Sequence, residues 1–251
     1  MVDLMSAFAI AAAQIASVAG DVSKNIETHA RAIRAAAQHG VRVLVFPELS
    51  LTGYEPTLAA ELAFTRDDPR LAPLAELARE HHLTAIVGAP LAAQPVPHIG
   101  AFALSDAASV AVYAKIHLHP GEESHFSPGS TPLVLPWDPH KIGVAICADL
   151  THASHPRACA ALGADIYAAG VCLTHRGYDA EAELIAGHAA RHRMLAVMAN
   201  YNRPTGGYDV AGKSAVWSPA GRRLAWADRS ADALVIATRV EGHWRGTVVR
   251  L

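Results

Sequence analysis

The sequence predicts an α/β fold, and three observations carry that prediction. Short, almost wholly apolar runs alternate with longer segments whose apolar residues recur at helical spacing. The apolar runs show little polar alternation, which is the pattern of strands that need cover from helices. Of the 251 residues 51% are hydrophobic, enough for a large core, and residues 1–251 are expected to form one domain.

In chain order, "FAIAAAQI" (8–15) reads as a strand. Residues 22–39 place Ile26, Ala30, Ile33 and Ala37 on one helical face, with Gly40 as the stop. "VRVLVF" (41–46) is the second strand. The next helix has Asp68 as cap and Pro69 in its first turn, and Leu71, Leu74 and Ala78 share a face. "LTAIVGAP" follows as a buried strand, and "HIGAFALS" and "SVAVYAKIHL" form two strands joined by "DAA" in a hairpin. The second half repeats the theme. "KIGVAIC" (141–147) is a strand, a helix near 155–162 has Pro156 early and Gly163 as its stop, and "DIYAAGV" is a strand. Residues 178–193 carry Ala182, Ile185, Ala186 and Ala189 on a helical face before the strand "LAVMAN". The last fifty residues read as β, with "KSAVWSP", "RRLAWA" and "ALVIATRV" between turns.

Charge and cysteine usage narrow the function classes. With 21 basic and 23 acidic residues the net charge is −2, without a charged block, so neither nucleic acid nor a membrane surface is indicated as partner. The apolar opening lacks a basic start and is interrupted by Asp3, Ser6 and Gln14, which fits neither a signal peptide nor a membrane span; a cytoplasmic protein is expected. Cys147, Cys159 and Cys172 are odd in number and widely spaced, against a disulfide framework or a zinc knuckle.

Three residues invite a chemical reading. Glu48, in "VFPELSLTGYEP", ends a buried strand, where α/β folds place ligand-contacting groups; a solvated loop acid is the simpler reading of it alone. Lys115 interrupts an apolar strand in a chain with four lysines against seventeen arginines. A buried ammonium needs carboxylate partners, and Glu122 and Glu123 follow; an edge strand facing solvent with Tyr113 and His117 also accounts for it. Cys147 ends a strand before a helix, as nucleophiles do, whereas Cys159 and Cys172 read as core fillers. Together the three have a mechanism: a carboxylate takes the thiol proton, and a cation steadies the thiolate and the oxyanion formed at a carbonyl.

These residues, with "AAAQIASVAGDVSKNIETHARAIRAAAQHGVRVLVFPELSLTGY", "YAKIHLHPGEESHFSPG", "GVAICADLTHASHPRACAALGADI" and "KSAVWSPAG", give a sequence that resembles the nitrilase superfamily of carbon–nitrogen hydrolases across nearly its whole length. The resemblance implies a four-layer αββα sandwich. It implies Glu48 as general base, Lys115 as oxyanion stabiliser, Cys147 as nucleophile and a second glutamate six residues before Pro128, which is Glu122, with Glu123 as competitor. The backbone N–H of Ala148 would join Lys115 at the oxyanion. It further implies no metal and no organic cofactor, and assembly as a homodimer or higher homo-oligomer through helical faces and the C-terminal tail.

Departures from the family pattern bear on the substrate. Many members follow the cysteine with an aromatic residue, Asp and then an Arg-Phe-Pro-Glu run; here stand Ala148, Asp149, Leu150 and "THASHP". With Thr151 in the usual arginine position, a carbamoyl amino acid loses an anchor, so the expectation is an amidase on a small carboxamide. N-carbamoyl amide hydrolysis and nitrile hydrolysis are the alternatives within the superfamily. Outside it stand a metallohydrolase using His117, His119, His152 and His155 with Asp149, a papain-like Cys–His pair, and a non-catalytic nitrilase-like binding protein.

Overall fold

The structure is a computed structural model that describes residues 8–106 and 109–251. Two sheets face each other across one apolar layer, and helices cover the outside. The first sheet has seven strands in the order β13-β12-β1-β2-β3-β4-β5, the second six in the order β11-β10-β9-β8-β7-β6. In the first, β1 (Ala9–Gln14), β2 (Val43–Val45) and β3 (Thr84–Leu91) run parallel, and β4 (His98–Leu104) and β5 (Ala111–Ala114) turn back antiparallel. β12 (Ala233–Val240) and β13 (His243–Arg250) close its other edge. In the second, β7 (His140–Ile146), β8 (Ile166–Gly170) and β9 (Leu195–Ala199) are parallel. They are flanked by β6 (Leu133–Trp137) on one side and by β10 (Ala215–Trp217) and β11 (Arg223–Trp226) on the other.

The alternation of side chains along a strand explains the layering. From β1, Ile10 and Ala12 join Val43, Val45, Val144, Ile166 and Val197 between the sheets. Ala9, Ala11 and Ala13 point the other way, onto α1 (Val22–Gln38) and α3 (Ala72–Glu80), against Ile33, Ala36, Leu74 and Ala78. Every residue of β1 is therefore buried, which is why residues 9–13 read as a continuous apolar run before the buried Gln14. A short helix, α2 (Ala59–Leu62), precedes α3. On the second sheet α4 (Ser154–Ala161) packs so closely on β7 that a Cβ at Gly143 would lie 2.8 Å from Cys159 Cβ. α5 (Tyr178–His192) lies beside α4 and buries Ile185 and Ala189. The αββα sandwich expected from the sequence is the fold observed.

Several elements differ in extent. β2 stops at Val45, before Pro47 removes a ladder donor, and β5 stops at Ala114 rather than running through Lys115. The buried face of α1 includes Asn25 and His29, while Ile26 and Ala37 are half-buried. β6 and β13 are edge strands of mixed exposure that the apolar pattern did not mark. The expected "DAA" turn between β4 and β5 falls partly outside the described residues, as do residues 1–7. No helix among the described residues is long and apolar enough to cross a membrane.

Candidate active site

The parallel strands β2, β7 and β8 release their chains at neighbouring C-terminal ends, which is where open α/β sheets collect functional groups. After β2 the chain turns through Pro47 into a loop with Leu49 at φ 53°. The loop is clamped between the two sheets at two glycines: a Cβ on Gly88 would lie 2.5 Å from Leu49 N, and one on Gly170 2.4 Å from Phe46 O. The Tyr201 hydroxyl donates to the Glu48 carbonyl. On the outer side, His29 of α1 braces the same loop. Its Nδ1–H donates to Asn25 O at 2.6 Å, so Nε2 accepts from the Ser50 hydroxyl at 2.9 Å. Burial lowers the His29 pKa to about 4, partly opposed by its bond to Asn25 O, so the ring is held neutral for this arrangement.

Cys147 begins a 3₁₀ turn, Cys147–Thr151, directly after β7, with φ 42°. A left-handed conformation costs a non-glycine residue roughly 1–2 kcal/mol and needs support from its surroundings. Asp149 supplies that support. Fully buried, it accepts from Ile146 N at 3.0 Å and from the Tyr113 hydroxyl at 2.7 Å through Oδ2, and from His117 N at 3.0 Å through Oδ1. One carboxylate thus ties the turn carrying Cys147 to the segment carrying Lys115. Behind it, Tyr113 meets His155 Nε2 at 2.8 Å, and His155 Nδ1 meets the Tyr167 hydroxyl at 2.9 Å.

Lys115 lies just beyond edge strand β5, but its side chain points inward and is fully buried. Its N–H donates to Ile99 O at 2.9 Å and its carbonyl accepts from Gly129 N at 2.7 Å, which fixes its direction. Nζ lies 2.6 Å from Glu48 Oε1 and 2.8 Å from both oxygens of Glu122. Glu122, 3% exposed, also accepts from the Tyr54 hydroxyl at 2.6 Å and from His119 N at 2.8 Å. Glu123 is exposed and accepts from Gly121 N. Of the two candidate glutamates, Glu122 contacts the lysine and Glu123 does not.

The electrostatics follow from burial. Burial pushes the Glu48 pKa up, Lys115 pulls it back and Glu122 raises it again, leaving it at about 7. Burial also drives the Cys147 thiol well above its ordinary range, aided by Glu48 and opposed by Lys115. For Lys115, burial works to lower the ammonium, but Glu48, Cys147 and Glu122 outweigh it and hold it above the usual lysine range. Glu48 Oε2 is buried without a hydrogen-bond partner among the described residues, while Cys147 is among the groups acting on this carboxylate. A proton acceptor near neutrality beside a protonated thiol and a fixed cation can carry out nucleophilic chemistry at a polarised carbon.

These groups open onto a cavity of about 210 Å³ lined by Glu48, Tyr54, Glu122 and Cys147 together with His119, Cys172, Thr174, Glu181 and Tyr208. Of the four histidines considered with Asp149 as metal ligands, three gather around it: His117 Nδ1 and His155 Nε2 lie 3.0 Å and 3.9 Å from its oxygens and His152 stacks on His117, while His119 faces the cavity instead. Among the described residues no group of three or more His, Cys, Asp or Glu is arranged to hold a metal. Sequence reasoning missed Cys172 and Glu181 at the cavity: the first read as a core filler, and the second was not singled out because an acid outside the apolar helical face carries no pattern signal.

Comparison with known proteins bears on the family and the fold. The sequence profile of the carbon-nitrogen hydrolase family matches residues 9–247. An (R)-stereoselective amidase of a Pseudomonas species is 28% identical over 86% of this chain and 79% of its own length. A glutamine-dependent NAD(+) synthetase of Thermotoga maritima is 31% identical over 65% of this chain, which corresponds to 29% of that longer protein. Among solved structures, a variant of the amidase from Nesterenkonia sp. AN1 superposes with a TM-score of 0.84 at 26% identity, covering 95% of this chain and 92% of that one. It carries the acetamide moiety of fluoroacetamide added covalently at its active site cysteine.

Proposed function

The chain belongs to the carbon–nitrogen hydrolase family, and on that premise we propose that it is an amidase that hydrolyses a small carboxamide through a thioester on Cys147. The observation that carries this reading is the buried contact of Lys115 Nζ with Glu48 and Glu122, set beside Cys147 at one cavity. Glu48 takes the thiol proton as sulfur attacks the amide carbon. Lys115 and the Ala148 N–H hold the oxyanion, with Glu122 fixing the lysine. Glu48 then returns the proton to the departing nitrogen, and ammonia leaves. A water gives a proton to Glu48 and adds to the thioester; the carboxylic acid departs and the thiol is restored. Because the resting thiol is neutral, the proton must move as the bond forms, and a carboxylate at about 7 is suited to move it both ways.

The small cavity favours a small acyl group. The reading takes residues 1–251 as one catalytic domain that needs no metal or organic cofactor. Ammonia release from short aliphatic amides tests it, with wild type and Cys147→Ala compared with and without a chelator. Activity that requires Cys147 and ignores the chelator supports it. Activity that survives Cys147→Ala, or that disappears on chelation, overturns it.

A further inference from the structure

Glu181 enters the cavity from the first turn of α5 and is only half-buried. Its carboxylate takes part in no hydrogen bond or ion pair among the described residues. Gly177 makes room for it, since a Cβ there would lie 3.0 Å from Glu181 Oε1. The other two carboxylates at the cavity are already engaged: Glu48 and Glu122 share Lys115 Nζ. His119 is the basic residue in the lining, and its Nδ1 donates to Pro120 O at 3.1 Å. Two aromatic rings, Tyr54 and Tyr208, meet edge to face at 5.6 Å in the same wall, and their faces attract cations. Three acids, one lysine held between two of them and no arginine make the cavity net negative.

We propose that Glu181 determines specificity by receiving a primary ammonium group of the substrate, so that the preferred substrates are small amides bearing an amino group a few carbons from the scissile bond. An amide bearing a carboxylate instead meets uncompensated negative charge. The inference rests on the amidase reading above and names the substrate class of that same site. Burial raises the Glu181 pKa while His119 and Lys115 lower it, as for a carboxylate partly withdrawn from water that lacks a direct partner. A hydrogen bond between ionised groups in such a setting is worth about 10- to 100-fold in affinity.

The test is kcat/KM for 4-aminobutanamide, its uncharged isostere pentanamide, and succinamate, in wild type and Glu181→Gln. N-(2-aminoethyl)acetamide, with the ammonium on the leaving side, tells which side of the scissile bond Glu181 faces. Wild type is expected to prefer an amino amide over pentanamide and to use succinamate least. Glu181→Gln is expected to shrink the first preference about ten-fold or more, chiefly through KM, and to narrow the penalty on succinamate. Glu181→Asp should keep part of the preference. An amino-to-neutral ratio unchanged by Glu181→Gln, or a wild-type preference for pentanamide or succinamate, overturns the inference. If pentanamide is hydrolysed in a Cys147-dependent way without amino preference, the inference fails and the amidase reading stands. If wild type hydrolyses none of these amides, both fail.

Discussion

Burial gives Glu48 and Cys147 proton affinities that neither side chain would have in water. The carboxylate is raised to about 7 and the thiol is raised well beyond its usual range, so the resting pair is a base beside a neutral thiol. The sign of the pH dependence follows. Below about 7 Glu48 holds a proton and cannot accept another; above it the base is free. The kcat/KM for a neutral amide should therefore rise with pH and level off above about 7. Glu48→Gln should lower kcat by about 10²- to 10⁴-fold and abolish that limb. A rate independent of pH between 5 and 8 in the wild type would contradict the assignment. The sequence brought Glu48, Lys115, Glu122 and Cys147 forward only together and through the resemblance of their motifs to a known family, since each alone had a simpler reading. It could not show that Lys115 turns inward from an edge strand. The alternation that placed Lys115 beside Tyr113 assumed a strand that in fact ends at Ala114.

At the scale of elements, the site depends on close packing of two loops. Gly170, at the end of β8, touches the loop that carries Glu48, and Asp149 joins the Cys147 turn to the backbone of His117. Gly170→Ala would place a methyl group 2.4 Å from Phe46 O and 3.2 Å from Glu48 N. We expect it to cost about 1–3 kcal/mol of stability and to reduce kcat, because the loop must shift. Thermal melting and steady-state kinetics check both, and a variant with wild-type kcat would show that the glycine does not position Glu48. The periodicity of α1 predicted a helix correctly but not its full buried face. Asn25 and His29 are polar, so a pattern built on apolar residues assigns them to solvent, yet Asn25 holds Val18 N at 2.7 Å and His29 braces Ser50.

At the scale of the whole molecule, two sheets share one internal layer and each carries its own helices outside. The interior strands were legible because they are continuous apolar runs. β6 and β13 were not, because one face of an edge strand meets water and their residues alternate or include Pro136. Leu162 and Leu184 on the outer helical layer, and Trp226 and Val248 on β11 and β13, remain exposed. We propose that such faces join copies of this chain; light scattering should then give the mass of at least two chains, and a monomer at micromolar concentration would contradict it. The covalent step on Cys147 is tested by intact-protein and peptide mass spectrometry after acid quench of an amide turnover. An added acyl mass is expected on Cys147 and none on Cys147→Ala. Turnover with no acyl adduct on Cys147, or with the adduct on Cys172 or elsewhere, would contradict it.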